Sequence, residues 1–493
     1  MKPGLRLVLA IACSALSACS FAPRYKVPAT VSAPQIYKEA GDWKQAEPLD
    51  ASARGDWWTA FRDPALDALE QKVGAANQDL KAALSRLLEA KALARSSRAD
   101  LFPTVRVGPD VTRERISQNA PRSSGAGSPI ANDFVLEAEF SYEIDVWGRL
   151  RNALRAANAS AAASAGDLAT LDLSLHAELA GDYFALRSAD AQQELLDQTV
   201  VYYQRALDLN QNLHKGGAAA LSDVAQAQAQ LQTAQTQAAD IHLRRMQLEH
   251  AIAVLVGESP SNFTLAPQPL PLDLAPPAVD PGLPSALLER RPDIAAAERR
   301  VAAANAQIGV ARAAYFPVFS LSAGGGYESK SASTWIDAPS QFWSIGTSAL
   351  LTVFDAGRHR ALSDEAHAAY DETVASYRST VLNAYREVED NISALRQLEL
   401  ESSSEAGAVA STRVALQQAN LRYRGGVATY LEVVSTENAA LQAQLSAQNI
   451  QATRFAAAAQ LIRALGGGWR TPSVAANLNQ SIAEEEKHPR RSE

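Results

Sequence analysis

The sequence predicts an α+β chain, mostly α, written as two copies of one plan in which a β-hairpin is set among very long helices. Three observations lead there. Gly148-Arg149, Ala185-Leu186-Arg187, Gly216-Gly217 and Gly257 recur as Gly357-Arg358, Ala394-Leu395-Arg396, Gly425-Gly426 and Gly466, every pair at one spacing. Each Gly-Arg opens an Ala-, Gln-, Leu- and Glu-rich stretch, 149–213 and 358–422, that is free of proline. Between Phe134 and Val146 apolar residues alternate with Val135, Glu137, Glu139, Ser141, Glu143 and Asp145, the period of a strand.

The chain begins with Lys2 and Arg6, an apolar run from Leu7 to Ala12, and Leu16-Ser17-Ala18-Cys19, the form in which a bacterial secretory signal ends. Residues 1–18 are expected to be removed. Cys13 and Cys19 are the two cysteines, and Cys13 falls inside the signal, so neither a disulfide framework nor a cysteine metal site is expected. Beyond the signal no run of about eighteen apolar residues occurs, which leaves strands or an anchor to engage a bilayer. A formal net charge of −8 sets nucleic-acid binding aside.

Repeat 1 is expected over 63–257 and repeat 2 over 289–466. In each, a helix (about 78–101 or 292–315) is stopped by Phe102-Pro103 or Phe316-Pro317. These pairs, like Asp79-Leu80 and Asp293-Ile294, are five residues further apart than the downstream pairs. The difference must fall in the hairpins, 103–147 and 317–354, where loops tolerate it. The clear strand presents an apolar face and an acidic face of Glu137, Glu139, Glu143 and Asp145, which suits a water-filled barrel interior. Its counterpart, roughly Phe342 to Phe354, alternates less, and the strands starting at Thr104 and Val318 are fainter still. The Ser-, Gly-, Ala- and Pro-rich stretches 118–132 and 328–341 read as outward loops.

At ~1.5 Å per residue, some 65 helical residues reach nearly 100 Å. The chain then reverses at Gly216-Gly217 or Gly425-Gly426 and returns as a helix of about 38 residues, ending at Gly257 or Gly466. The two shorter helices of each repeat can stack end to end and match the long one. Four strands cannot close a membrane barrel, and open edges are not tolerated in lipid, so several copies are required; eight strands from two copies and twelve from three both remain possible.

Trp57-Trp58, Phe61, Asp63-Pro64 and Leu66; Arg291-Pro292-Asp293-Ile294 and Phe316-Pro317; Phe354-Asp355-Ala356-Gly357-Arg358; and Tyr423-Arg424-Gly425-Gly426-Val427 with Tyr430-Leu431 together resemble the outer-membrane factor family of tripartite efflux pumps. The likeness is to its lipoprotein branch and covers nearly the whole mature chain. It implies a TolC-like homotrimeric channel-tunnel, in which a twelve-stranded outer-membrane β-barrel, four strands per chain, continues into a periplasmic α-helical barrel. It also implies a girdle from 19–62, the Pro-rich connector 258–288 and the start of the tail 467–493. Leu16-Ser17-Ala18-Cys19 likewise resembles a lipobox, which implies diacylglyceryl lipid on Cys19 and no other cofactor; Ser20 permits outer-membrane sorting.

The resemblance further implies partners: a periplasmic adaptor and an inner-membrane pump that open the helix tips. It places Leu431 in the apolar constriction, with Ser435 where an Asp and Asn438 where an Arg is expected, so the charged gate is not reproduced; Glu432 or Glu437 is left to supply an acidic field. Catalysis is not expected, because the seven histidines form no ligand spacing and no phosphate-cradling or nucleophile-elbow motif occurs. Each histidine, His176 included, is read as helical or loop surface. The competing readings are a helical stalk or adaptor lipoprotein, which lacks a use for the alternating strands, and an exit duct for protein secretion. Exported substrates are not encoded in the sequence.

Overall fold

The computed structural model describes residues 20–29, 38, 55–115, 130–279 and 290–467. The expected signal, Cys19, most of the first outward loop, the end of the Pro-rich connector and the tail lie outside the described residues. A short 3-10 turn, Trp57–Phe61, leads into α1 (Pro64–Ala76), α2 (Gln78–Ala99), β1 (Thr104–Arg115), β2 (Ile130–Ile144), α3 (Arg149–Lys215) and α4 (Leu221–Leu255). The second repeat follows as α5 (Pro292–Ala313), β3 (Val318–Ser329), β4 (Gln341–Leu350), α6 (Arg358–Arg424) and α7 (Tyr430–Ala464). Among the described residues no helix is long and apolar enough to cross a membrane.

The two repeats agree element by element. The long helices α3 and α6 are 67 residues each, the returning helices α4 and α7 are 35, and α2 and α5 are 22. Gly148 and Gly357, Gly217 and Gly426, and Gly257 and Gly466 all have positive φ, between 73° and 88°. The repeated glycines thus mark the points where the chain leaves or enters a helix through the left-handed region.

Helix α1 lies within the expected span of repeat 1, but the sequence reading names no helix before about 78. Its signal is present nonetheless: the Asp63 side chain accepts from the Ala65 and Leu66 amides, and Pro64 occupies the first turn. β4 ends at Leu350 rather than Phe354, and residues 351–354 are irregular.

The chain divides into two compact units. One contains the described parts of 1–29, 86–165 and 296–377, and its centre is an antiparallel sheet in the order β1-β2-β3-β4. Val105 faces Phe140 in the first ladder, and Phe319 faces Ala349 in the third. β3 therefore lies 214 positions beyond β1 and β4 lies 209 beyond β2, which places the five-residue difference between the paired strands, in the hairpin loop.

The other unit contains the described parts of 30–85, 166–295 and 378–493. Its core gathers Phe61, Phe184 and Phe455, with ring centroids 5.0 and 4.4 Å apart from Phe184, all three buried. Here the short helices abut as expected. The Asn77 Nδ2 amide donates to the Leu255 carbonyl (2.9 Å), and Asn77 Oδ1 accepts from the Asp79 and Leu80 amides, joining the end of α4 to the start of α2. At the same joint of repeat 2 the Arg291 guanidinium donates to the Ala464 carbonyl (2.9 Å).

Candidate pore face and helix-hairpin tips

Each strand of the sheet alternates, and the register brings the like sides together. Val105, Val107 and Val111 of β1 face Phe140, Ala138 and Phe134 of β2. Leu136 and Tyr142 face Tyr327 and Leu321 of β3, and Ala323 and Gly325 face Ile345 and Trp343 of β4. One apolar face therefore runs across all four strands. The opposite face is polar: Arg106 faces Glu139, Thr112 faces Asp133, Ser322 faces Ser141, and Ser320 and Ser348 bond through their hydroxyls at 2.7 Å. β3 carries Gly324, Gly325 and Gly326 in its middle. A Cβ at Gly324 would meet the Glu137 carboxylate and one at Gly326 the Leu136 carbonyl, so these glycines make room for the acidic side chains and the β2 backbone.

The acidic face is shorter than the sequence suggests. Glu143 takes a two-pronged bond from Arg149 (3.0 and 2.7 Å). Asp145, beyond the end of β2, accepts from the Leu150 and Arg151 amides and pairs with the Arg151 guanidinium (3.1 Å). Both are consumed in turning strand into helix, and of the four acids read from the sequence Glu137 and Glu139 remain on the face.

Beside that turn, Trp147 donates to the Pro317 carbonyl (2.8 Å) and packs on Phe316 and Phe319. Phe21 stacks on Phe316 at 4.4 Å, and the Ser20 hydroxyl donates to Asn152 (3.1 Å). Gly309 admits Ala22, which a Cβ would meet at 2.7 Å. The residues that follow Cys19 are thereby seated against this aromatic cluster.

At the tips the two turns are alike. The Ala218 amide donates to the Leu213 carbonyl (2.8 Å) and the Val427 amide to that of Arg422 (3.0 Å), the six-residue bond that closes a helix. Gly217 and Gly426 supply the left-handed residue, and Gly216 and Gly425 precede them. Around them Tyr203, Leu207, Leu231, Tyr430, Val433 and Val434 form a buried cluster.

The residues expected at the constriction have separate fates. Leu431 is 59% exposed and Ser435 is exposed. Glu432 is bound by Arg422 (2.8 Å). Asn438 accepts from the Tyr203 hydroxyl at 3.5 Å, the long limit of such a bond. Glu437 is buried, its Oε2 has no partner, and burial raises its carboxyl to about 7, against a hydrogen bond with Tyr202 that lowers it. Tyr202, itself pushed up to about 12 by burial, also donates to Asn420 (3.3 Å). The sequence reading used Tyr423 and Tyr430 only as marks of the resemblance and passed over Tyr202 and Tyr203, which complete the aromatic group near the tips.

His176 is not on the surface. It is buried, stacked on Trp58 at 4.5 Å, and its Nδ1 lies 2.6 Å from Glu70. Burial opposes its charge, but the bonds to Asp172 and Glu70 prevail and raise it to about 9. An acid on α1 needed a cationic partner in an apolar setting, and no periodicity reports that. Arg187 and Arg245 share Asp190 and bind the Ala266 and Leu265 carbonyls, while Gln451 reaches Pro271, so the described part of the Pro-rich connector is held by side chains. Among the described residues no group of three His, Cys, Asp or Glu side chains could hold a metal ion.

An amphipathic sheet with open edges and repeated hairpins of 67- and 35-residue helices define a channel-tunnel class of protein, and comparison with known proteins gives the family. The profile described as "Outer membrane efflux protein" matches residues 69–258 and 283–467, one stretch per repeat, and the chain belongs to that family. It is 33% identical to the toluene efflux pump outer membrane protein TtgF of Pseudomonas putida over 94% of this chain and 96% of that one. It is 31% identical to the outer membrane protein OprJ of Pseudomonas aeruginosa over 95% and 97%. The solved outer-membrane channel OprN superposes with a TM-score of 0.81 at 30% identity, covering 92% of this chain and all of that one. The fold is TolC-like, and the protein is an outer-membrane component of an efflux pump.

Proposed function

We propose that three copies of this chain form the exit duct of a tripartite efflux system of the RND type, passing drugs or other small toxic solutes across the periplasm and outer membrane. The observation that carries this reading is the sheet: one face apolar across four strands, the other polar, and both outer strands unpaired on their far sides among the described residues. In lipid such edges must be closed, and three copies give twelve strands around water. The duct performs no chemistry and holds no nucleotide, so the driving force comes from an inner-membrane pump, linked by a periplasmic adaptor that engages the tips around Gly216, Gly217, Gly425 and Gly426. Relatives named as efflux pump outer membrane proteins support the pump as partner.

Lipid on Cys19 tethers each copy to the outer membrane. The seat of Ser20 and Phe21 against Trp147 and Phe316 supports this, since aromatic side chains favour the membrane interface. At the tips Leu431 narrows the passage, with Ser435 and Asn438 near it. Glu432 is partly neutralised by Arg422, so the apolar side chain is the main barrier. Planar-bilayer recordings test the duct: wild-type trimers should show a low resting conductance that rises in Leu431→Ala, with Glu432→Gln changing cation preference. Silent membranes, together with unaltered drug and solvent susceptibility in a deletion strain, would overturn it.

A further inference from the structure

The strands sort their charges by sign at the loop end of the sheet. β1 and β3 follow helices α2 and α5, β2 and β4 lead into α3 and α6, and the loops 116–129 and 330–340 lie at the opposite end. Arg113 and Arg115 are two and four residues beyond Val111 and so share its apolar side, facing Asn132 and Ile130 of β2. Glu114, Asp133 and Glu328, the carboxylates of the strands at this end, take the polar side with Thr112, Glu137 and Gly326. Both arginines are exposed, and among the described residues neither has a carboxylate partner. The loop 116–129 brings Arg122 and neither Asp nor Glu. Nor does the strand plan require cations here, since the repeat spacing sets Tyr327 and Ser329 at the same places of β3.

Depth gives these guanidiniums a partner. Around a closed barrel the apolar side meets lipid over about 25 Å. At about 3.3 Å per residue and a strand tilt of about 40°, Arg113 and Arg115 stand about 20 and 25 Å beyond Val105, at the outer edge of that band. Rings mark the same level: Trp335 packs on Phe134 with centroids 5.4 Å apart, Phe134 faces Val111, and Trp343 is exposed on the apolar side. The outer leaflet of a bacterial outer membrane consists of phosphorylated glycolipid, whose phosphates lie at this depth, where a cation attracts them and a carboxylate repels them. We propose that Arg113 and Arg115 bind the headgroup phosphates of that glycolipid, with the Asn132 amide beside them. This rests on the duct proposed above, which turns the loop end outward. Two guanidiniums about 7 Å apart along one strand offer each phosphate a planar fork of donors.

Titration of the full chain, extracted from the outer membrane in mild detergent, with diphosphoryl lipid A tests the site, the bound lipid being counted by native mass spectrometry. Arg113→Gln and Arg115→Gln should each weaken binding about fivefold, and the two together roughly thirtyfold. Arg106→Gln, which removes the same charge from the polar side of the same strand, should leave it unchanged, and Arg113→Lys with Arg115→Lys should retain most of it. Unmutated protein should bind monophosphoryl lipid A, which keeps the acyl chains, about fivefold more weakly. Equal affinity for the two lipids, or displacement by millimolar inorganic phosphate, would overturn the site. Ser333→Cys, exposed in the loop 330–340, should be labelled on whole cells by a membrane-impermeant maleimide. A labelled loop with undiminished lipid binding in the double glutamine variant refutes the site alone, whereas an unlabelled loop refutes the outward placement and the site with it.

Discussion

Replacing Glu437 with Gln should make the tip of α7 firmer and insensitive to pH. The carboxyl is buried among Tyr202, Tyr203, Tyr430 and Val433, with one oxygen unpartnered, and burial carries it from an ordinary 4.5 to about 7. Between those values the folded protein binds the proton and the unfolded chain releases it, so stability is fully present below about 4.5 and declines as pH rises through about 7. By pH 8 to 9 the ionised carboxylate costs on the order of 3 kcal/mol, which is about a hundredfold in a local opening equilibrium. Because a large channel does not unfold in two states, the assay should be local: amide exchange over Tyr430 to Leu441, compared at pH 5 and pH 8.5 after correction for the intrinsic rate. Wild type should open about a hundredfold more often at the higher pH, and Glu437→Gln equally at both. Equal pH dependence in the two proteins would refute the reasoning, as would a variant less protected than wild type at both values.

Other outcomes follow from the same geometry. His176→Ala strands Glu70, fully buried, without its cation and should cost about 3–5 kcal/mol of local stability, read from amide exchange over the surrounding helices. In wild type the His176 contribution is complete below about 6.5 and is lost as pH rises through about 9, so protection of α1 should fall across that window. Phe455→Ala empties the centre of the Phe61 and Phe184 cluster and should cost about 3–5 kcal/mol in the same measurement. Gly257→Ala must hold φ at +73° and drive its Cβ to within 2.6 Å of the Ala76 carbonyl; a loss of at least about 1–2 kcal/mol is expected, with faster exchange at the joint of α2 and α4.

The long helices, the glycine turns and the acidic strand were legible in the sequence because each is local, a period or a breaker that a window of the chain displays, and the repeat because the same residues recur at one spacing. The interior of the tips was less legible. Leu431, Glu432, Ser435 and Asn438 could be numbered, but the sequence is silent on Glu432 being bound by Arg422 and Glu437 being closed among tyrosines. Glu143 and Asp145 looked like pore acids because alternation reports the side of a strand, not whether an arginine waits at the next turn. His176 illustrates the same limit, since its partner Glu70 is 106 residues away.

By itself, then, the sequence determined that two repeats of helix and hairpin exist, that neither can close a sheet alone, and that the length difference between them sits in a loop. Tertiary structure decided how one joint is built twice from different chemistry, with Asn77 at Leu255 and Arg291 at Ala464, and where β4 ends without a neighbour. Backbone periodicity is a property of neighbouring residues and survives in a string of letters. The partner that satisfies a carbonyl, a carboxylate or a strand edge arrives from distant residues, and only the folded chain says which.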